Sequence, residues 1–347
     1  MPIPAFLKRR LDAALARRGF ERIASRLVYP WQRVPVDLPS HSGAPLPAGA
    51  GEALRADHPR LQELTRAYRE LDSPLARDPV WTPELLATAD LRQFRGDNPY
   101  VFQLRGRNLN ELGYAVSYYC ARRIPEVERL GLLDRLEEDG LFGVHTFMID
   151  GRRVSRDLLD SALELAFLER HLRISEGSRR TVLDIGAGYG RLAHRAAAAF
   201  PETLRWLCTD AIPTSTFLCE FYLGFRGVAG SDRAPSRVVP LHELERAIRP
   251  GDVDIAVNIH SFSECSPSAI EAWIAFLAGR RVGHLMIVPN AMAGDGVTML
   301  TNDGLDFTRI VLRHGYRLVA SEPKFPDPVV QEYGVSPAAH LLFRLEA

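Results

Sequence analysis

Ten residues constrain this chain more than any others: Val182-Leu183-Asp184-Ile185-Gly186-Ala187-Gly188-Tyr189-Gly190-Arg191. An apolar run ends in a turn with glycine at alternate positions, and a helical pattern starts near Tyr189. Glycine has no Cβ, so the backbone of such a turn can approach a bulky ligand. Strand, glycine turn and helix in this order form a unit of a parallel α/β sheet, which binds ligands at the carboxyl ends of its strands. The spacing is acidic-x-Gly-x-Gly-x-Gly. A dinucleotide fingerprint would place its third glycine at Arg191, where a long side chain crowds the pyrophosphate. A nicotinamide cofactor therefore fits the turn poorly.

A second acid extends the pattern. Leu204-Arg205-Trp206-Leu207-Cys208-Thr209-Asp210 reads as the next strand and ends twenty residues after Gly190. A carboxylate there accepts both hydroxyls of a ribose. The competing reading is an aspartate that caps the run beginning Ala211-Ile212-Pro213. Together the two segments resemble motif I and the second strand of class I S-adenosyl-L-methionine (SAM)-dependent methyltransferases. The resemblance implies that Asp184, Gly186, Ala187, Gly188, Tyr189, Gly190, Arg191, Asp210 and Ala211 surround SAM. Tyr189 would close over the methionine end. Arg191 would pair with the cofactor's carboxylate or with a neighbouring acid.

From about residue 180 strand and helix alternate, as in a parallel sheet. Strands are expected at 181–185, 204–209, 237–239, 253–259, 284–288, 316–320 and 339–345. The last two lack a clear intervening helix, which predicts a terminal antiparallel hairpin. The fold class is thus α/β: a Rossmann-like SAM-methyltransferase sheet of seven strands, the last antiparallel, behind a mainly helical N-terminal region. Residues 1–150 form that region and 151–347 the SAM-binding domain. Helical patterns cover 5–27, 52–72, 104–123, 126–138 and 157–172, with a Pro- and Gly-rich linker over 30–51. The stretch 143–149 followed by Asp150-Gly151 predicts a short strand and a tight turn.

Composition excludes several classes. Lys+Arg and Asp+Glu both number 43, so no net charge draws the chain to nucleic acid or anionic membrane. Lysine occurs only at Lys8 and Lys324. No apolar run reaches the ~18 residues of a membrane span. Cys120, Cys208, Cys219 and Cys265 are scattered without metal or disulfide spacing, which suits a reducing, cytoplasmic setting. The basic amphipathic segment around Leu7, Leu11 and Leu15 has a membrane-surface helix as one reading, but Asp12 and Glu21 interrupt its basic face, so packing on the protein or on a partner subunit, as in a homodimer, is the expectation.

Polar groups gather where the fourth strand of the sheet ends, at Asn258-Ile259-His260-Ser261-Phe262-Ser263-Glu264-Cys265. Methyl transfer to a hydroxyl needs alignment and a proton acceptor. A histidine suits that task near neutral pH. His260 is the candidate general base. Glu264 would orient it or hold a substrate hydroxyl, and Asn258 would touch the cofactor's methionine end or support the turn. Outside the sheet, Arg105 and Asn108, with His145 and Asp150, are candidates for acceptor binding. No two-carboxylate-plus-histidine cluster requires a metal, although folding could join His260, Glu264 and Asp295.

Asp210 to Leu223, Val257 to Glu264, His340 to Phe343 and Asp150 to Leu159 resemble a family of sugar O-methyltransferases found near natural-product gene clusters. The similarity spans residues 95–347. It implies a SAM-dependent O-methyltransferase acting on a hydroxyl of a sugar or a glycosylated secondary metabolite. The alternatives are a C- or N-methyltransferase of a small natural product and a SAM-binding subunit without turnover.

Overall fold

The computed structural model describes residues 40–76, 81–86, 88–96, 111–231, 234–327, 330–331 and 338–346. The helix expected at 5–27 and the candidates Arg105 and Asn108 lie outside the described residues. Three helices of the N-terminal half are α1 (Pro59–Glu70), α2 (Glu111–Arg122) and α3 (Pro125–Leu130). The helix expected at 52–72 is two pieces, because Pro59 starts a new helix that His58 caps through its ring nitrogen. The one expected at 126–138 breaks at Gly131, whose φ of 59° ends α3. A hairpin follows, β1 (Phe147–Ile149) against β2 (Arg152–Val154). Asp150 and Gly151, at φ 49° and 74°, supply the left-handed pair that its tight turn needs.

Helix α4 (Arg156–Leu172) then leads to the main sheet. Ser155 caps it by accepting the Leu158 N–H at 3.0 Å. Its leucines and Phe167 are buried as expected, yet so are four acids, Asp157, Asp160, Glu164 and Glu169. A buried carboxylate needs a cation or several donors. Each has one here: Arg95 for Asp157, Lys324 and Arg156 for Asp160, Arg191 for Glu164 and Arg129 for Glu169. Helix α4 is thus anchored by charge as well as by apolar packing.

The sheet contains β3 (Arg180–Ile185), β4 (Leu204–Thr209), β5 (Ser236–Val238), β6 (Ile255–Ile259), β7 (His284–Val288), β10 (Tyr316–Pro323) and β11 (Ala339–Leu345). Its order is β10-β11-β7-β6-β3-β4-β5. Strands β5, β4, β3, β6 and β7 run parallel, and β11 runs antiparallel to both neighbours. Helices α5 (Arg191–Ala199), α6 (Pro213–Phe225), α7 (Pro267–Gly279) and α8 (Thr308–Arg313) connect them. A small hairpin, β8 (Ala291–Met292) with β9 (Met299–Leu300), was not expected. Asp295 folds it by accepting the N–H groups of Val297 and Thr298. The order reverses between β3 and β6, so the carboxyl ends of β3, β4 and β6 frame the crevice where such sheets bind ligands. No helix among the described residues is long and apolar enough to cross a membrane.

Candidate functional site

The three glycines after β3 do different work. Gly186 and Gly188 both have positive φ, 72° and 56°. A Cβ on Gly186 would lie 2.2 Å from Ser261 Oγ, so this glycine admits the neighbouring loop of the protein, not a ligand. A Cβ on Gly190 would press on Cys219 and Leu223 of α6. Gly188 alone of the three has nothing within 4 Å of that position. The open cradle is therefore at Gly188.

Asp210 lies directly beneath it. Its Oδ2 accepts the Gly188 N–H at 3.0 Å and its Oδ1 the Ile212 N–H at 2.9 Å. Each carboxylate oxygen has a second lone pair, which leaves two acceptors for a vicinal diol. Burial pushes the Asp210 carboxyl up to about 7 despite those two N–H groups. Burial likewise brings Asp184 to about 7, although Trp206 Nε1 donates to it at 3.1 Å. Asp184 supports the strand ends from behind. Ala211, half-buried, continues the chain from Asp210 into α6.

Several expected contacts fall elsewhere. Tyr189 does not close over a ligand: it is 6% exposed, packs on Phe94 and Tyr222, and donates its hydroxyl to Asp157. The reason is its own helix turn, which points the side chain at α4. Arg191 pairs with Glu164 through two bonds of 2.8 and 2.9 Å and with Ser161, so the neighbouring acid takes it and not a cofactor carboxylate. Asn258 supports the turn. Its Nδ2 donates to Ile185 O and Ser261 Oγ, and its Oδ1 accepts the Phe262 N–H. Being fully buried with both polar atoms used, it has nothing to offer the methionine end.

His260 ends β6 in a left-handed conformation, φ 68°, with its N–H held by Val288 O at 2.7 Å. The residue is half-buried, and its Nδ1 is buried with no hydrogen-bond partner among the described residues. Burial, then the charges of Arg156 and Lys324, push the imidazole down to about 3, so it is neutral at working pH. Glu264 does not orient it. The short 3-10 turn Ser261–Glu264 carries that carboxylate away, to accept Trp81 Nε1 at 2.9 Å. Burial raises the Glu264 carboxyl.

Two residues of the N-terminal region reach this edge without having been singled out. Trp81 is one. Tyr68 of α1 is the other: its hydroxyl accepts the Leu241 N–H at 2.7 Å, beyond β5, and bonds Thr216 of α6 at 2.9 Å. Both contacts span more than 140 residues of sequence, so no local pattern announces them. His145 is buried, 5% exposed, whereas Asp150 is exposed at the hairpin turn and accepts from Tyr119, so the two do not share a cleft. Asp295 is occupied in its own hairpin. Among the described residues no group of three or more His, Cys, Asp or Glu is placed to hold a metal ion.

The strand order and the terminal hairpin define a Rossmann-like sheet of the class I SAM-methyltransferase type. No family model matches the chain, and no curated protein matches it. Solved structures do. Magnesium protoporphyrin IX methyltransferase from Synechocystis PCC 6803, with bound SAM, is 12% identical at a TM-score of 0.40, over 67% of this chain and 93% of that one. A SAM-dependent methyltransferase from Aquifex aeolicus is 17% identical at a TM-score of 0.37, over 53% and 93%.

Proposed function

We propose that this protein is a SAM-dependent O-methyltransferase whose acceptor is a hydroxyl of a sugar or a glycosylated small molecule. One observation carries the reading: the open space at Gly188 stands over the two spare acceptors of Asp210, at the sheet's carboxyl edge. That geometry suits the ribose of SAM, which when bound supplies a methyl group activated on its sulfonium.

The chain's part is to hold the nucleoside, align the acceptor and receive a proton. Asp210 accepts the ribose hydroxyls. The His260 imidazole, at the end of β6 and half-buried, accepts the acceptor's hydroxyl proton. The low basicity of this imidazole is no obstacle. A weak, well-placed base suffices where the methyl donor is already activated. With SAM held by Asp210, its sulfonium would supply the methyl group, and His260 would take the proton from the acceptor hydroxyl and hand it to solvent.

The test is calorimetric titration with SAM and S-adenosylhomocysteine, with NAD as control and Asp210→Ala beside wild type. Micromolar binding of both sulfur nucleosides, weakened in the variant, supports the reading. Absence of binding, or preference for NAD, sinks it. Transfer of labelled methyl to a panel of glycosides, with NMR of the products, then separates O- from C- or N-methylation.

A further inference from the structure

A cavity of about 220 Å³ lies between α4 and the terminal hairpin. Its walls are apolar where Ile124, Leu163, Ala166 and Phe167 face it, and polar where Lys324 and His340 do. The cations at its rim are already matched. Lys324 pairs with Asp160, and Arg170 pairs with Glu126 and Glu322. No positive charge is left over for an anion. His340 differs: it is 3% exposed and its Nε2 has no partner among the described residues. A buried polar atom without a partner costs roughly 1–3 kcal/mol, which a ligand group recovers by bonding to it.

Two features narrow the ligand. A 150 Å³ apolar cavity takes benzene, so this one takes a six-membered ring with a substituent. A hydroxyl both donates and accepts, so it satisfies His340 Nε2 in either tautomer. The position also fits the reaction. Strand β11 pairs Leu341 with Ile287, which sets His340 beside Val288, and Val288 O holds the His260 N–H. His340 and His260 therefore stand about two strand spacings apart, roughly 10 Å, a distance that one hydroxylated ring spans.

We propose that this cavity receives the ring of the methyl acceptor, a neutral six-membered ring whose remote hydroxyl bonds His340 Nε2. Naming the occupant as the acceptor rests on the methyl-transfer reading; the binding site itself does not. Phenol, toluene and benzoate are matched probes, differing in one group on one ring. Titration of the full chain, free and saturated with S-adenosylhomocysteine, should show phenol bound about tenfold more tightly than toluene and benzoate unbound. His340→Phe should erase the preference for phenol, and Ala166→Phe should abolish binding of both rings by filling the space. His340→Gln, which keeps a polar tip, should retain part of the preference, and thermal melts confirm that each variant folds. Equal binding of phenol and toluene, preference for benzoate, or no binding while S-adenosylhomocysteine still binds, overturns the site. Phenol binding with no S-adenosylhomocysteine binding leaves the site and sinks the transferase reading instead.

Discussion

Two buried polar clusters touch helix α4, and they are finished to different degrees. In the first, Arg95 is 1% exposed and every nitrogen of its guanidinium has a partner: Asp157 at 3.3 Å, Glu138 at 2.7 Å and Leu141 O at 3.4 Å. Glu138 in turn accepts from Arg195, Ser155 and the Gly140 N–H. Burial would push the Glu138 carboxyl up, but Arg95 and Arg195 hold it well below the usual range. In the second cluster Asp160 is matched by Lys324 and Arg156, yet His260 and His340 each keep a buried nitrogen with no partner among the described residues. A saturated network fixes a structure. An unsaturated one at a binding edge leaves a hydrogen bond for something else to make.

The comparison breaks most sharply at Arg95. Arg95→Ala removes a cationic partner from each of two buried carboxylates, Asp157 and Glu138, and removing one partner of a buried pair typically costs about 3–5 kcal/mol. Denaturant unfolding should report a loss of that size, and SAM affinity should fall with it, since Asp157 also holds Tyr189 of the glycine turn. A variant as stable as wild type would mean that the first cluster is not the framework described here.

His260→Ala should do the reverse. It removes no side-chain hydrogen bond to the described residues, so the melting temperature and SAM affinity should stay close to wild type while turnover falls about 10²–10⁴-fold. Unchanged turnover would return His260 to the role of strand terminator. Asp210→Asn comes next in size. The amide keeps one acceptor oxygen, and losing a charge-assisted bond to the ribose costs about 1.5–3 kcal/mol, or roughly tenfold to a hundredfold in Kd. The wild type carries a pH signature of the same contact. Its carboxyl titrates at about 7 in the free protein, and hydroxyl donors favour the ionised form. SAM affinity should therefore fall as pH drops from 8 to 5, approaching tenfold per pH unit below 7, and the Asn variant should lose that slope.

How far each cluster could be read from sequence differs for a physical reason. The seven main-sheet strands were legible within a few residues, because buried parallel strands are short apolar runs with polar ends. Gly188 and Asp210 were legible because one turn and one strand end carry them. His260 was legible by its position after Asn258 and Ile259. The first cluster was not: Arg95 meets Asp157 across 62 residues, and the acids of α4 look like the exposed face of an amphipathic helix until their partners are known. Tyr189 was misplaced for the same reason, since α4 claims it, and of the two partners open to Arg191 the structure shows the neighbouring acid, Glu164 of α4. Lys324 did leave a signal, being one of two lysines in a chain that otherwise uses arginine. At 324 that lysine is buried against Asp160, where a compact ammonium meets the carboxylate.

The smallest effect concerns the carboxylate behind the glycine turn. Asp184 is buried and titrates at about 7 when folded, against an ordinary value of 3.8. Between those values the native state keeps a proton that the unfolded chain releases, so this group's contribution to stability is full below the lower value and lost as pH rises through 7. Asp184→Asn cannot release a proton, and its amide oxygen can still accept from Trp206. The variant should match wild type near pH 4 and melt above it at pH 8. Asp210 titrates in both proteins, and the Asp184 charge raises its carboxyl, so the difference between the two melting curves reports Asp184 together with its effect on Asp210. An offset that stays constant from pH 5 to 8 would mean that the Trp206 N–H is enough to keep Asp184 ionised. The glycine turn would then hold two negative charges at the ribose edge, and the pH dependence assigned to Asp210 would have to be shared between them.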